Sequence, residues 1–214
     1  LKAVKSVYAS VYFASSRAYL SSSQNLISEE KMAVIIQEVC GTEQNGLFFP
    51  TFSGVARSIN YYPIGDEAPE DGVCNVAMGL GKLVVDGGRT LRFSPRYPQK
   101  VLQTSMPELA LRDTQNEVLA LSLQPEEFRT SIDDAVNLRR LDIAQIAELR
   151  NSRFVCSVWD RENERISDSP FDRGRKVITF NNILKYNTFP LAEIVTDILH
   201  MGAEEMRCPV EVEF

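Results

Sequence analysis

The segment from Met32 to Pro95 constrains the fold of this chain more than any other. A short β-branched run, Ala33–Val39, is followed by an aromatic-rich segment and then by a glycine-rich turn, Met78–Gly88. Because glycine has no Cβ, its backbone adopts positive φ and approaches a ligand closely. A buried strand followed by a polar segment and a glycine turn is typical of chains that bring backbone amides near phosphate groups.

Length and composition limit the class of protein. The 214 residues are enough for one large domain, or for one domain with a subdomain. The net charge of −6 argues against nucleic acid as the main partner, because phosphate backbones need a basic face. No apolar run reaches the ~20 residues that a bilayer span requires. We therefore expect a soluble protein without a nucleic-acid or membrane partner.

The cysteines indicate a reducing compartment. They show no CxxC spacing and have apolar neighbours: Cys40, Cys74, Cys156 and Cys208. This pattern predicts reduced, buried side chains in a cytoplasmic protein rather than a disulfide framework.

Residue periodicity predicts a mixed α+β fold. We expect an amphipathic helix over residues 1–21, a strand buried on both faces at Ala33–Val39, and a short helix at Asp71–Leu83. Residues 101–189 carry denser charge and candidate strands separated by polar segments, together with a helix at Leu138–Arg150. We interpret residues 101–189 as an inserted β-rich lobe. A further helix and a final strand, Cys208–Phe214, follow it.

Gln37, Glu38 and Val39 form the first candidate binding element. They end the apolar run, so their backbone can act as a hinge that hydrogen-bonds to the edge of an adenine ring. A core strand that simply leaves its sheet would have the same sequence pattern, and this alternative stays open.

The glycine turn is the second candidate element. Gly79, Gly81 and Lys82 can surround phosphate groups, and Arg92 follows shortly afterwards with a guanidinium suited to phosphate. Neither a Walker A loop nor a dinucleotide-binding GxGxxG motif is present. A structural turn beside scattered surface arginines would give the same pattern.

Glu211 and Glu213 form a candidate metal site. They alternate with Val210, Val212 and Phe214, so both carboxylates are expected on one face of a strand. Mg²⁺ is commonly held by one or two carboxylates together with substrate phosphates. A solvated edge strand would look the same.

Because the chain has one histidine, His200, on an apolar helical segment, no catalytic residue is assigned.

The order of these segments resembles the N-terminal nucleotide-binding domain of the phosphoenolpyruvate synthase and pyruvate phosphate dikinase family. The matching segments are Ala18–Leu20, Ala33–Val39, Ser53–Ser58, Gly79–Gly87 and Val212–Phe214. They lie in residues 1–100 and 190–214, which we expect to form part of one ATP-grasp-like domain. The resemblance implies a mixed or antiparallel sheet with flanking helices.

The resemblance also implies a function. The chain would be the ATP-binding part of a dikinase-like transferase that moves phosphoryl groups from ATP to a histidine and then to a pyruvate-type acceptor. In that scheme Gln37, Glu38 and Val39 hold the base, Gly79, Gly81 and Lys82 lie near the phosphates, and Glu213 with Glu211 binds Mg²⁺. The partners would be ATP and the phosphohistidine and pyruvate-binding domains of a longer parent chain. We expect the isolated chain to be inactive.

Departures from the family pattern support an alternative. Lys82 stands where the family's GLGE motif has its glutamate, and Ala56-Arg57 replaces an apolar-aromatic pair. The family's RSSAxxEDS and LQxRP segments are expected to lie outside the 214 residues. A catalytically inactive nucleotide-sensing or scaffolding module, with the 101–189 lobe as its partner surface, is the second hypothesis.

Overall fold

The structure is a computed structural model that describes residues 1–22, 32–131, 133, 135–147, 149–169 and 171–214. These residues form two compact units. The first combines residues 1–39 with 124–137, and the second combines residues 40–123 with 138–214.

The described part of the first unit is mainly helical. Helix α1 (Lys2–Ala9) and helix α2 (Ala14–Ser22) are separated by a 3-10 turn, Ser10–Tyr12, so the predicted helix over residues 1–21 is present with one interruption. Leu20 is buried, whereas no residue of α1 is.

The second unit contains three antiparallel sheets among the residues that the structure describes. Their strands are β1 (Thr42–Gln44), β2 (Leu47–Phe49), β3 (Ser53–Arg57), β4 (Val73–Ala77), β5 (Leu91–Phe93), β6 (Glu117–Ser122), β7 (Leu138–Asp142), β8 (Cys156–Asp160), β9 (Arg165–Ser167), β10 (Arg175–Ile178) and β11 (Glu211–Glu213). The strand orders are β1-β2-β6-β7, β11-β3-β4-β5 and β10-β8-β9. We call the second of these the central sheet.

Helices flank these sheets. They are α3 (Lys82–Val85), α4 (Pro107–Asp113), α5 (Ile143–Ala147), α6 (Ser152–Val155), α7 (Asn181–Leu184) and α8 (Leu191–Met206). Helix α8 buries Leu191, Val195 and Leu199, which share one face because they are four residues apart. The predicted α+β class with antiparallel sheets and flanking helices is confirmed.

One hydrophobic cluster connects the sheets of the second unit. It includes Phe49 of β2, Val76 of β4, Cys156 of β8 and Val195 of α8. Core residues from within 101–189 therefore pack with core residues from outside it. The boundaries of an inserted lobe at 101–189 stay a prediction.

The predicted buried strand at Ala33–Val39 is wrong. Residues 32–40 form no strand, and Ile35 and Ile36 are each 83% exposed. β-Branched residues favour strands only where cross-strand neighbours and burial reward them. Among the described residues, this segment has no strand to pair with.

The predicted helix at Asp71–Leu83 is also wrong, because Val73–Ala77 is the strand β4. It pairs with β3 on one side and β5 on the other, and four of its five residues are buried. A short apolar run that is buried on both faces cannot be assigned to helix or strand from periodicity alone. The predicted helix at Leu138–Arg150 is partly wrong for a similar reason, since β7 occupies its first five residues and α5 follows.

The cysteines are free thiols, as predicted, but only two of them are buried. Cys74 and Cys156 lie in the core, whereas Cys40 and Cys208 are exposed. Burial raises the pKa of the Cys156 thiol to about 12, which keeps it protonated.

None of the described helices has the length and hydropathy that crossing a membrane requires.

Gly54 holds the terminal strand β11 on the central sheet. Its N–H donates to the Phe214 carbonyl at 2.9 Å, and the Phe214 N–H donates back to the Gly54 carbonyl at 3.0 Å. A Cβ on Gly54 would lie 2.4 Å from the Phe214 ring and 2.8 Å from the Asn75 carbonyl oxygen. The ring of Phe214 packs edge-on against Phe52, 6.4 Å between centroids. Glycine at this position therefore lets the Phe214 ring lie over the sheet.

Replacing Gly54 should destabilise the protein. We expect Gly54→Ala to lower the free energy of unfolding by about 1–3 kcal/mol, because the added methyl group overpacks the contact with Phe214 and Asn75. Urea denaturation measures the change. Gly81→Ala is the matched control, since its Cβ would meet only Ser53 at 3.6 Å, an ordinary contact. Equal losses for the two variants would contradict this role of Gly54.

Candidate functional site

Three polar side chains and one valine lie in a row across the four strands of the central sheet. Glu213 of β11 is opposite Val55 of β3, Val55 is opposite Asn75 of β4, and Asn75 is opposite Arg92 of β5. Directly opposed residues in antiparallel strands project to the same face of the sheet. Three strand spacings separate Glu213 from Arg92, roughly 14 Å. We call this the polar row.

The other face of the central sheet is the core. Ala56, Cys74 and Phe93 are opposed across β3, β4 and β5, and each is at most 2% exposed. Because side chains alternate along a strand, burying this set leaves the polar row on the opposite face. Glu211 and Glu213 are both exposed on the same face of β11, as the alternation with apolar residues predicted.

The carboxylates of Glu211 and Glu213 differ in their surroundings. Glu211 is opposite Arg57, and the two side chains form an ion pair in which Arg57 Nε donates to Glu211 Oε2. The carboxylate of Glu213 has no hydrogen bond or ion pair within the described part of the chain. Glu213 is therefore the carboxylate that is available to a ligand, while the charge of Glu211 is already balanced.

These two residues fit a cation only together with a ligand that brings further oxygens. No group of three or more His, Cys, Asp or Glu side chains that could hold a metal occurs among the residues that the structure describes. One open carboxylate beside a neutralised one matches the usual arrangement for Mg²⁺, in which substrate phosphates complete the coordination. The donor set does not suit a metal bound by protein alone.

Gly79 has a structural reason to be glycine. Its φ is +89°, and a Cβ there would lie 2.5 Å from Val118 Cγ1 and 2.7 Å from the Leu119 carbonyl oxygen. The chain at this point runs against β6, with the Leu80 N–H donating to the Leu119 carbonyl at 3.0 Å. Gln115 fixes the turn from the other side through two hydrogen bonds of 2.8 Å to the backbone of Met78.

Gly81 and Lys82 lie beside the polar row. Gly81 precedes helix α3, and a Cβ there would meet no atom closer than 3.6 Å. Leu83 of α3 packs against Ala77, which projects to the same face as Asn75 because it is two residues further along β4. Lys82 is the first residue of α3, and its ammonium pairs with Asp86 at 3.0 Å. Helix α3 therefore covers one end of the face that carries the row.

Gln37, Glu38 and Val39 belong to the first compact unit. All three are exposed and lie in a segment without regular secondary structure. Their backbone groups form no hydrogen bond with other described residues. Their predicted role at the base of a nucleotide stays a prediction.

Arg92 is bound by a carboxylate of the protein. Its two terminal nitrogens donate to Glu67, at 2.9 Å and 2.5 Å, in a bidentate pair. The Glu67 side chain is only 7% exposed and also accepts from Asn60 and from the Ile64 N–H. The hydrogen bonds from Arg92 lower the pKa of Glu67, and those from Ile64 and Asn60 act in the same direction, while burial opposes them. This pair fastens the β3–β4 loop to β5.

A cavity of about 750 Å³ opens beside Arg92. Its lining includes Asn75 from the polar row, Arg89 and Thr90 just before β5, Tyr97 after β5, and Lys185 just after α7. Sequence reasoning missed Asn75 and Glu67. A polar residue inside the apolar run Val73–Ala77 was the available signal for Asn75. Glu67 had none, because its partner is 25 residues away along the chain.

His200 is not part of this site. It lies on the exposed side of α8, where its imidazole is 75% exposed and 3.5 Å from Glu204 one turn later.

The Glu67–Arg92 pair gives a pH-dependent prediction. We expect Glu67→Gln to lower the free energy of unfolding at pH 7 by about 2 kcal/mol, since a half-buried, bidentate, charge-assisted pair is lost. Because the folded-state pKa of Glu67 is lowered, this stabilisation is complete above the ordinary glutamate pKa, about 4.3, and disappears as the pH falls through the folded-state value.

Urea denaturation of wild type and variant at pH 7 and pH 3 measures this difference. Asp66→Asn is the matched control, because the Asp66–Lys100 pair at 2.7 Å is exposed on both sides and should contribute little. A loss for Glu67→Gln that is equal at the two pH values, or equal to that of the control, would count against the pair.

Comparison with known proteins gives one family. Residues 1–214 match the family described as pyruvate phosphate dikinase, AMP/ATP-binding domain. Searches of the curated proteins and of the solved structures gave no significant match. The match covers the complete sequence and agrees with the antiparallel sheets, the flanking helices and the ATP-grasp-like architecture implied by the motifs. The chain belongs to the family of the pyruvate phosphate dikinase AMP/ATP-binding domain.

Proposed function

We propose that this chain is the ATP-binding part of a phosphoenolpyruvate synthase-like or dikinase-like phosphotransferase, and that the polar row of the central sheet faces the phosphates. Family membership supports ATP as a ligand. The observation that carries the proposal is the register that puts the open carboxylate of Glu213 on the same sheet face as Asn75 and Arg92.

Glu213 would hold Mg²⁺ together with oxygens of the nucleotide. When bound, the cation would neutralise phosphate charge and orient the terminal phosphoryl group. Glu211 would lie next to the cation, but its charge is balanced by Arg57. The cation would therefore interact with one uncompensated negative charge of β11 rather than with two. That balance suits a metal that arrives with an anionic ligand.

Gly79, Gly81 and Lys82 would lie near the phosphates at the end of the row that α3 covers. The positive φ of Gly79 turns the backbone there, and the open space beside Gly81 leaves room for a ligand to approach the backbone. Lys82 would add a positive charge that Asp86 now partners. Arg92 would add positive potential at the other end of the row while Glu67 holds its guanidinium.

Gln37, Glu38 and Val39 would hold the base. All three residues are exposed, and their backbone groups have no hydrogen bond to other residues that the structure describes, so they are available to an adenine edge, which supports this assignment. The chain's own residues would bind and orient the nucleotide, and positioning with charge neutralisation would provide most of the catalysis.

The phosphoryl group would pass from ATP to a histidine on another domain and from there to a pyruvate-type acceptor. His200 is not assigned as that histidine, because the proposed acceptor lies on another domain and the imidazole of His200 is exposed on α8 beside Glu204. The isolated chain would therefore bind nucleotide without turning it over. A cytoplasmic location remains part of this proposal.

A second function, a nucleotide-sensing or scaffolding module without catalysis, is favoured by one observation. Lys82 replaces the glutamate of the family's motif, so a negative charge near the phosphates has become a positive one. Such a module would bind Mg-ATP through the same row. Joining the chain to the phosphohistidine domain of its parent and testing for phosphohistidine formation separates the two functions.

The role of Glu213 is directly testable. We expect Glu213→Gln to weaken Mg-ATP binding by about tenfold to a hundredfold, because a charged metal ligand is lost, and to leave binding of ATP in EDTA unchanged. Isothermal titration calorimetry measures both affinities.

Glu205→Gln is the matched control, since it removes the same charge from an exposed position on α8. Wild-type affinity for Mg-ATP in Glu213→Gln would contradict the metal assignment. Absence of any nucleotide binding by the wild-type chain would contradict the proposed function as a whole.

A further inference from the structure

Helix α8 has an exposed face that the nucleotide proposal does not use. The buried side chains of α8 belong to the hydrophobic cluster that also contains Ala56, Cys74 and Phe93 of the central sheet. Those three residues project to the sheet face opposite the polar row. Helix α8 therefore packs on the side of the central sheet away from the proposed nucleotide face.

An apolar stripe runs along the exposed face of α8. Ile194 and Ile198 are each 38% exposed, and Met201 is 60% exposed. Their spacing of four and three residues places them in line on the helix surface. A continuous row of exposed aliphatic side chains is typical of a helix surface that binds a partner. We call these three residues the apolar stripe.

An acidic row lies beside the apolar stripe. Glu193 and Asp197 directly precede the two isoleucines, and Glu204 continues their line two turns after Asp197. All three are exposed. Helix α8 contains no lysine or arginine, and its one histidine, His200, lies 3.5 Å from Glu204. Asp197 forms no hydrogen bond or ion pair with the residues that the structure describes.

A groove of about 380 Å³ opens next to the acidic row. Leu184 of α7 and Pro98 from the segment after β5 give it apolar walls, and Glu193 and Asp197 are its only charged lining residues within the described part of the chain. The Glu193 carboxylate accepts one hydrogen bond, from the side-chain amide of Asn187 at 3.1 Å. Apolar walls with two carboxylates suit the aliphatic stem and the charged end of a lysine or arginine.

The charges of α8 decide between possible occupants. Two copies of α8 that faced each other would bring two acidic rows together, and like charges oppose such a contact. A basic partner is attracted instead. The apolar stripe extends for roughly 10 Å along the helix axis, so the side chains of a second helix can pack along it.

We propose that the apolar stripe and the acidic row of α8 form a docking surface for a basic amphipathic helix of a partner protein. Apolar side chains of that helix pack on the stripe, its lysines or arginines pair with the acidic row, and one long cationic side chain enters the groove. The surface does not depend on the nucleotide proposal, because α8 contributes no residue to the polar row or to the glycine turn.

The test is a titration of the full chain with a fluorescein-labelled leucine–lysine peptide of about 18 residues, a length at which an amphipathic helix forms. We expect saturable binding by fluorescence anisotropy. In the ¹⁵N-labelled chain, the largest chemical-shift changes should occur at the backbone amides of the apolar stripe. Largest shifts outside α8 and the groove would overturn the proposal.

Two variants test the two parts of the surface. Asp197→Lys should weaken peptide binding about tenfold, because an attraction becomes a repulsion. Ile198→Ala should weaken it about fivefold, because apolar contact area is lost. Both side chains are exposed, so both variants are expected to fold.

Glu162→Lys and Ile35→Ala are the matched controls. The first makes the same change of charge at an exposed position between β8 and β9, and the second removes the same apolar atoms from an exposed residue outside α8. Binding should stay within about twofold of wild type in both controls. Equal weakening in a variant and its control, or absence of saturable binding to the wild-type chain, overturns the proposal.

Two further measurements test other occupants. A leucine–glutamate peptide of the same length should not bind, and equal affinity for the two peptides would overturn the proposal. Sedimentation velocity of the chain alone should give the same mass for wild type and Asp197→Lys. A dimer that this substitution dissociates would assign the surface to a second copy of the chain and overturn a basic partner.

Discussion

The docking of β11 on β3 is the interaction on which the candidate site depends. The terminal strand is at the edge of the central sheet, and the reciprocal hydrogen bonds between Gly54 and Phe214 set its register. A shift by one residue would move Glu213 to the core face and an apolar neighbour to the polar face, because side chains alternate. The Phe214 ring over Gly54 makes that shift costly. The register thus fixes which carboxylate faces the ligand.

Electrostatic pairing then divides the charged residues of the central sheet into two classes. Glu211 and Arg92 are engaged with Arg57 and Glu67, and these pairs hold strand and loop in place. Glu213 is not engaged in this way. The carboxylate without a partner among the described residues is the one that we assign to a ligand.

Local patterns in the sequence predicted some elements well. The alternation at Glu211–Phe214 predicted two carboxylates on one face, and the helix that was predicted before the final strand is present as α8. The motif order predicted the family. Val73–Ala77 was assigned to a helix because a short run that is buried on both faces has no diagnostic period.

Relations between distant segments could not be predicted. Ala33–Val39 has the composition of a strand, but a strand also needs a neighbour, and composition does not identify one. The pairing of Glu211 with Arg57 joins residues 154 positions apart. The position of Asn75 between Glu213 and Arg92 likewise follows from register across four strands. Lys82 was predicted near the phosphates, and its distance from a bound nucleotide stays a prediction.

In our proposal, the metal-bound nucleotide lies on the sheet face that carries Glu213, Asn75 and Arg92. Paramagnetic relaxation measured by NMR with Mn²⁺ and ATP tests it most directly, because Mn²⁺ broadens amide signals according to their distance from the bound metal. We expect the strongest broadening at Glu213 and its β3 neighbour Val55, weaker broadening across the sheet towards Arg92, and none with Mn²⁺ alone at the same concentration. Strongest broadening at α8 or at β8–β10, with the β11 signals unaffected, would contradict it.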